Sequence, residues 1–172
     1  MASLIVEDGS IVANANSYVD IEFARNYADS YGLTLPVDDD TLVRHLLNSQ
    51  TFLGSFEPRL QGSRVSPTQR LSWPRAGVDA CGTPIAQTQI PESIKSAQVE
   101  LAALITSGID LFATISGRVL KREKVDVLEQ EFSEAVFSTA DGLPKYPKIE
   151  ALLGCLFIQT IGGYRLTQRH GF

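Results

Sequence analysis

Residues 90–108 read IPESIKSAQVELAALITSG, and this stretch decides the fold class. Ile94, Ala97, Leu101, Leu104 and Ile105 recur at three- and four-residue spacing, which predicts a helix with one apolar face. Pro91 suits the first turn, where its missing N–H costs nothing, and Gly108 suits the stop. The alanines leave room for a second helix to approach closely. Such a helix needs covering, and the chain on either side supplies the cover.

Upstream, DIEFARNYADSYG (20–32) offers Asp20 as an N-cap, Phe23, Ala24, Tyr27, Ala28 and Tyr31 as a stripe, and Gly32 as a stop. DDDTLVRHLLNSQTFLGSF (38–56) follows the same logic. Asp39 or Asp40 caps it, and Leu42, Val43, Leu46, Leu47, Gln50 and Leu53 form its buried side. Downstream, PKIEALLGCLFIQTIGG (147–163) predicts a fourth helix from Pro147 to the glycine pair, with Ile149, Leu152, Leu153, Leu156 and Phe157 inward. The opening SLIVEDGSIV (3–12) places apolar runs on both sides of Asp-Gly, a signal for a small hairpin.

Three stretches do not read as helix. Residues 55–90 form a connection of 36 residues punctuated by Pro58, Pro67, Pro74 and Pro84, far beyond the usual ~4–6. GRVLKREKVDVLEQEFSEA (117–135) mixes β-branched residues with charges and predicts an extended segment with one wet face. GYRLTQRHGF (163–172) trails the last helix without an acid. The expected class is therefore mainly α: a four-helix core with a long irregular loop, a β excursion and an extended C-terminal tail. Residues 1–163 make the helical domain, and 164–172 a docking tail.

The 172-residue chain is long enough for a single domain with its own core. No apolar run reaches the ~18–20 residues of a membrane span, and the start lacks a signal-peptide pattern. Its net charge is −5, divided unevenly: residues 1–40 carry −7 and the remainder +2. Polyphosphates are held mainly by cations, so this balance argues against a stand-alone nucleic-acid binder, although a basic patch could serve. Cys81 and Cys155 belong to no C-x-x-C or disulfide framework, and read as free thiols of a reducing compartment.

For catalysis the sequence offers little. His45 lies mid-helix and His170 near the end, with no metal-binding spacing between them. Asp38, Asp39 and Asp40 could hold a cation, but a helix N-terminus favours acids anyway. No cofactor, metal site or catalytic residue is expected. The chemically loudest stretch is GSRVSPTQRLSWPRAGV (62–78), with Arg64, Arg70, Arg75, the sole tryptophan Trp73, and no acid. Together with Arg59 and Phe56 it has the cations and rings of a single-strand binder, and Arg118, Lys121, Arg122 and Lys124 add a second cluster. The competing reading makes Trp73 an anchor that packs the loop onto the helices, with the arginines at a protein interface. The anchor reading is preferred.

The order LIVEDGS, ANSYVD, RVSPTQRLSWPRAGV, IPESIKSAQVELA, VLKREKVDVLE and YPKIEALL resembles a tailed-phage family labelled as DnaT-like single-stranded DNA-binding proteins. Members of that family resemble the head–tail connector adaptors of siphovirus-type phages. Phe23 stands where the family pattern has an acidic capping-box residue. The resemblance implies a virion protein, made in the host cytoplasm and located at the head–tail neck. It implies docking under the portal protein in a ring of about twelve copies. The ring would extend the channel for passing double-stranded DNA, without sequence-specific contacts, toward a downstream tail or stopper protein. Tyr164, Arg165, Leu166, Thr167 and Arg169 in the tail, with Arg64, Arg75, Arg118, Lys121 and Arg122, are the expected portal or subunit contacts. The family label implies the alternative, single-stranded DNA binding in phage replication.

Overall fold

A computed structural model describes residues 3–113 and 144–158, with the backbone of two further short strands at 160–161 and 164–165. The β excursion expected at 117–135 lies outside the described residues, as do Arg118, Lys121, Arg122, Leu166, Thr167, Arg169 and His170. The chain is mainly α. Helix α1 spans Ile21–Tyr31, α2 Asp39–Gly54, α3 Glu92–Thr106 and α4 Pro147–Leu153. The connection between α2 and α3 carries a 3-10 turn at Glu57–Arg59 and two tiny antiparallel pairs. These pair β1 (Ser63–Arg64) with β2 (Arg75–Ala76), and β3 (Asp79–Ala80) with β4 (Thr83–Pro84).

Helix α3 packs against α1, α2 and α4 and is buried more completely than one apolar face predicts. Ile94, Ala97 and Leu101 enter a large core with Phe52, Phe56, Leu60, Trp73, Ile149, Leu153 and Leu156. Val99 and Ala102 point into a second core with Val19, Ala24, Leu42 and Leu46. Leu104 and Ile105 are only half-buried. The small Ala97 and Ala102, both fully buried, are what allow helices to close on two sides.

Between the two cores lies a polar residue that hydrophobic periodicity passes over. Gln98 is fully buried. Its Oε1 accepts the Tyr18 N–H at 2.9 Å, while Nε2 donates to Ser17 Oγ at 2.8 Å and to the Leu46 carbonyl at 3.0 Å. One side chain thus joins the N-terminal segment, α2 and α3. Ser17 in turn donates to the Val19 carbonyl, so the polar chain closes within the core.

Helix starts and stops differ from the sequence reading in three places. Asp38, not Asp39 or Asp40, caps α2, its carboxylate accepting the Thr41 N–H at 2.8 Å. On α2, Ser49 and Phe52 join the buried side in place of Leu47 and Gln50. Helix α4 ends at Leu153 instead of reaching the glycine pair, and a 3-10 turn follows at Gly154–Leu156. The cause is a competing partner: the Gln61 N–H donates to the Leu156 carbonyl and the Ile158 N–H to the Arg59 carbonyl. Beyond them β5 (Thr160–Ile161) and β6 (Tyr164–Arg165) pair antiparallel, with Ile161 opposite Tyr164. β-Branched residues suit that conformation better than another helical turn.

The expected N-terminal hairpin is replaced by a loop built on a carboxylate. Glu7 is buried, and its two oxygens accept the N–H groups of Gly9, Ile11 and Val12 at 2.9–3.0 Å. Val6 pairs parallel with Ser17, which carries the loop to the Gln98 network. Gly9 adopts φ 105°, and a Cβ there would sit 1.8 Å from the Thr88 carbonyl oxygen, so no other residue fits.

Gln98→Ala is expected to lower unfolding free energy by about 3–4 kcal/mol, combining a cavity with an orphaned Tyr18 N–H. Gln98→Leu restores the volume and should still cost about 1–3 kcal/mol. Urea unfolding of the two variants separates the packing and hydrogen-bonding shares.

Candidate functional site

The arginine-rich loop turns its chemistry inward. Trp73 is 1% exposed and belongs to the large core, following a backbone N–H that donates to the Tyr18 hydroxyl at 3.2 Å. Its peptide bond to Pro74 is cis. Burial is the main reason the Tyr18 hydroxyl is pushed far above its usual ionisation range. The indole N–H finds no hydrogen-bond partner among the described residues. A base cannot stack on a ring placed like this.

Arg75 is the second internal element, with its side chain 6% exposed. Its guanidinium donates to the carbonyls of Gln61 at 2.7 Å, Gly62 at 2.8 Å and Ser72 at 3.3 Å, and lies 3.5 Å from Glu57. Burial lowers its proton affinity, while the Glu57 carboxylate opposes that. Arg64 pairs with Glu57 through Nε and Nη2, both at 2.6 Å, and donates a third bond to the Gln69 carbonyl at 3.0 Å. Gln69, itself buried, donates to the carbonyls of Leu71 and Pro74 and accepts the Ser66 N–H. Of the three arginines in 62–78, Arg70 alone has neither an ion pair nor burial to occupy it among the described contacts, and it is exposed.

The same loop is the root of the C-terminal tail. Leu60 bridges Phe157, and the Gln61 side chain donates to the carbonyls of Cys155 and Phe157, both at 3.0 Å, while accepting the Asp79 N–H. The Arg59 guanidinium lies 4.1 Å from the Phe157 ring centre and 5.3 Å from that of Phe56, and donates to Glu150 at 2.7 Å. Cys81, read as a free thiol, is joined to Cys155 by a disulfide across 74 residues, with Cα atoms 5.1 Å apart. The thiol reading failed because only the fold brings the β3–β4 turn to the end of α4. Tyr164 and Arg165 lie in β6, seven and eight residues beyond Phe157.

Other sequence candidates sit elsewhere. His45 Nδ1 is 3.0 Å from Thr106 Oγ1 on α3, and burial holds its imidazole below its ordinary value. Asp38 is a cap, and Asp39 pairs with Arg25. Among the described residues no three His, Cys, Asp or Glu side chains gather as metal ligands, and no helix is long and apolar enough to cross a membrane. Glu57, Gln61 and Gln69 were missed by sequence reasoning. Glu57 carried a usable signal, being the one acid directly ahead of a run of cations.

Trp73→Ala should cost about 3–5 kcal/mol of stability, whereas Arg70→Ala should stay within about 0.5 kcal/mol; thermal or urea unfolding measures both. A second expectation concerns acid. The Arg64 guanidinium holds the Glu57 carboxyl below its ordinary value of 4.5. The unfolded chain therefore takes up the proton first, and this part of the stability is present above 4.5 and lost as pH falls through the folded value. Glu57→Gln should flatten the acid limb in urea midpoints taken between about pH 6 and 3.

Comparison with curated proteins and with solved structures found no match. A family model matches residues 2–170, nearly the entire chain, and the protein therefore belongs to the family described as "Putative DnaT-like ssDNA binding protein".

Proposed function

We propose that the protein is a non-catalytic docking module that acts as a head–tail connector adaptor in a tailed-phage virion. The observation that carries this reading is the inward arrangement of residues 62–78. Trp73 is in the core, and Arg64 and Arg75 are engaged by Glu57 and by backbone carbonyls. A strand-gripping groove needs exposed rings and unengaged cations, and this stretch uses both to stiffen itself. What it builds is a rigid end from which the C-terminal segment departs, the arrangement a docking platform requires. The −7 charge of residues 1–40 further suits a surface over which double-stranded DNA slides without being held.

In this reading the portal is the principal partner and Tyr164 to Arg169 are the docking segment. Neighbouring copies of the chain complete a ring, and a tail or stopper protein binds below. Arg64 and Arg75 act by shaping the platform, and Arg118, Lys121 and Arg122 meet the adjacent subunit. The chain performs no chemistry of its own.

The family description favours a second reading, single-stranded DNA binding in phage replication. Its cations would have to come from Arg70 and from the cluster Arg118, Lys121, Arg122 and Lys124 rather than from the Trp73 loop.

Cosedimentation of the purified chain with the portal ring of the same phage separates the two. The adaptor reading expects about one copy per portal subunit, and expects deletion of residues 164–172 to abolish pelleting while the fold persists. No association, accompanied by a salt-dependent shift of a single-stranded oligonucleotide, would establish the second reading instead.

A further inference from the structure

We propose that Cys81–Cys155 is a reversible thiol–disulfide switch that sets how firmly the C-terminal segment is seated on the arginine-rich loop. The inference is independent of which partner the protein serves. The bond ties the turn between β3 and β4 to the 3-10 turn at Gly154–Leu156, two residues before Phe157 leads the chain out of the core. Gln61 sits at the same junction. It receives the Asp79 N–H from the strand next to Cys81 and donates to the carbonyls on both sides of Leu156. With the bond closed, three segments of chain are held at one point by a covalent link and by one amide side chain. With it open, only non-covalent contacts remain there, among them that amide side chain, the short Leu60–Phe157 pairing and the Arg59 contacts to Glu150 and the Phe157 ring.

The bond is also placed where it can be exchanged. Cys81 is exposed, at the tip of a two-residue turn, and Cys155 is half-buried. An incoming thiolate of a dithiol reductant therefore attacks Cys81 Sγ. The old S–S bond breaks, and Cys155 leaves as a thiolate that takes a proton. The reductant's second thiolate then attacks its own sulfur in the mixed disulfide and releases Cys81 as a thiolate, which is protonated in turn. Two electrons pass to the protein, two thiols form, and the reductant ends as a disulfide. Re-formation with glutathione disulfide as oxidant starts from the Cys81 thiolate, which attacks one glutathione sulfur and releases a first glutathione thiolate; the Cys155 thiolate then attacks Cys81 Sγ, closing the protein bond and releasing the second glutathione thiolate. A chain made in a reducing compartment would then hold residues 154–158 by non-covalent contacts at first and gain the covalent link after exposure to oxidant.

Native-state hydrogen exchange on the oxidised chain and on the chain kept in dithiothreitol tests this. The amides of Gln61, Asp79 and Ile158 should lose protection at least about tenfold more than those of Val99 and Ala102 in α3. The double variant Cys81→Ser, Cys155→Ser should match the reduced chain under both conditions, which separates loss of the bond from any effect of the reductant. Equal loss across α3 would make the bond a staple of the whole fold, and unchanged protection would leave it without conformational effect. Either result overturns the proposal.

Discussion

The fold depends on a buried amide. Gln98 is placed where α3 turns from one core to the other, and its three hydrogen bonds tie the segment at Ser17 and Tyr18 and helix α2 to it. Burial of apolar surface draws helices together but does not choose between neighbouring registers. A fully satisfied polar group does, since any slip leaves it unpaired in a medium where that is expensive. The Tyr18 N–H is the telling partner. Tyr18 lies in an irregular segment with no ladder of its own, and its hydroxyl accepts the Trp73 N–H. A line of contacts thus runs from the centre of α3, through Gln98 and Tyr18, to the tryptophan that seats the loop.

The loop repeats that strategy with larger side chains. Beyond a 3-10 turn and two tiny strand pairs it has little regular secondary structure, so many of its carbonyls need other donors. Arg75, Arg64, Gln61 and Gln69 provide them, and Glu57 lies against both guanidinium groups. Arginine suits this work because its fork of donors satisfies several carbonyls without a change of rotamer. The acid-free composition that suggests a phosphate-binding surface has a different explanation here. The charges answer to carbonyl dipoles inside the protein and to one carboxylate beside them.

The legibility of the sequence follows from the same contrast. Helices α1 to α3 were visible because their apolar stripes, caps and glycine stops all agree. Helix α4 was overextended because CLFIQTI is apolar under either period, and its actual course is set by Arg59, Gln61 and Cys81, 74 to 99 residues away in the chain. The hairpin at 3–12 failed for a related reason. Asp-Gly marks a turn, but Glu7 offers the turn's N–H groups a carboxylate, and no strand partner can compete with three charge-assisted bonds. The burial of Trp73 was legible from its large aromatic ring and the proline that follows it. The destinations of Arg64 and Arg75 were not, because an arginine that grips its own backbone and one that grips a partner look alike in sequence.

What separates a docking module from a strand binder is where conformational freedom is kept. A binder of flexible polymers benefits from exposed, adaptable rings and cations along its path. Here the rings and cations of residues 56–78, Arg70 excepted, are engaged: Phe56 against Phe52 and Phe157, Trp73 in the core, Arg75 on three carbonyls. Order of that kind lowers the entropic penalty of presenting a fixed surface, which favours recognition of another rigid body. The chain leaves this end at Phe157 and Ile158, where the Ile158 N–H is held by the Arg59 carbonyl and the Phe157 ring by the Arg59 guanidinium.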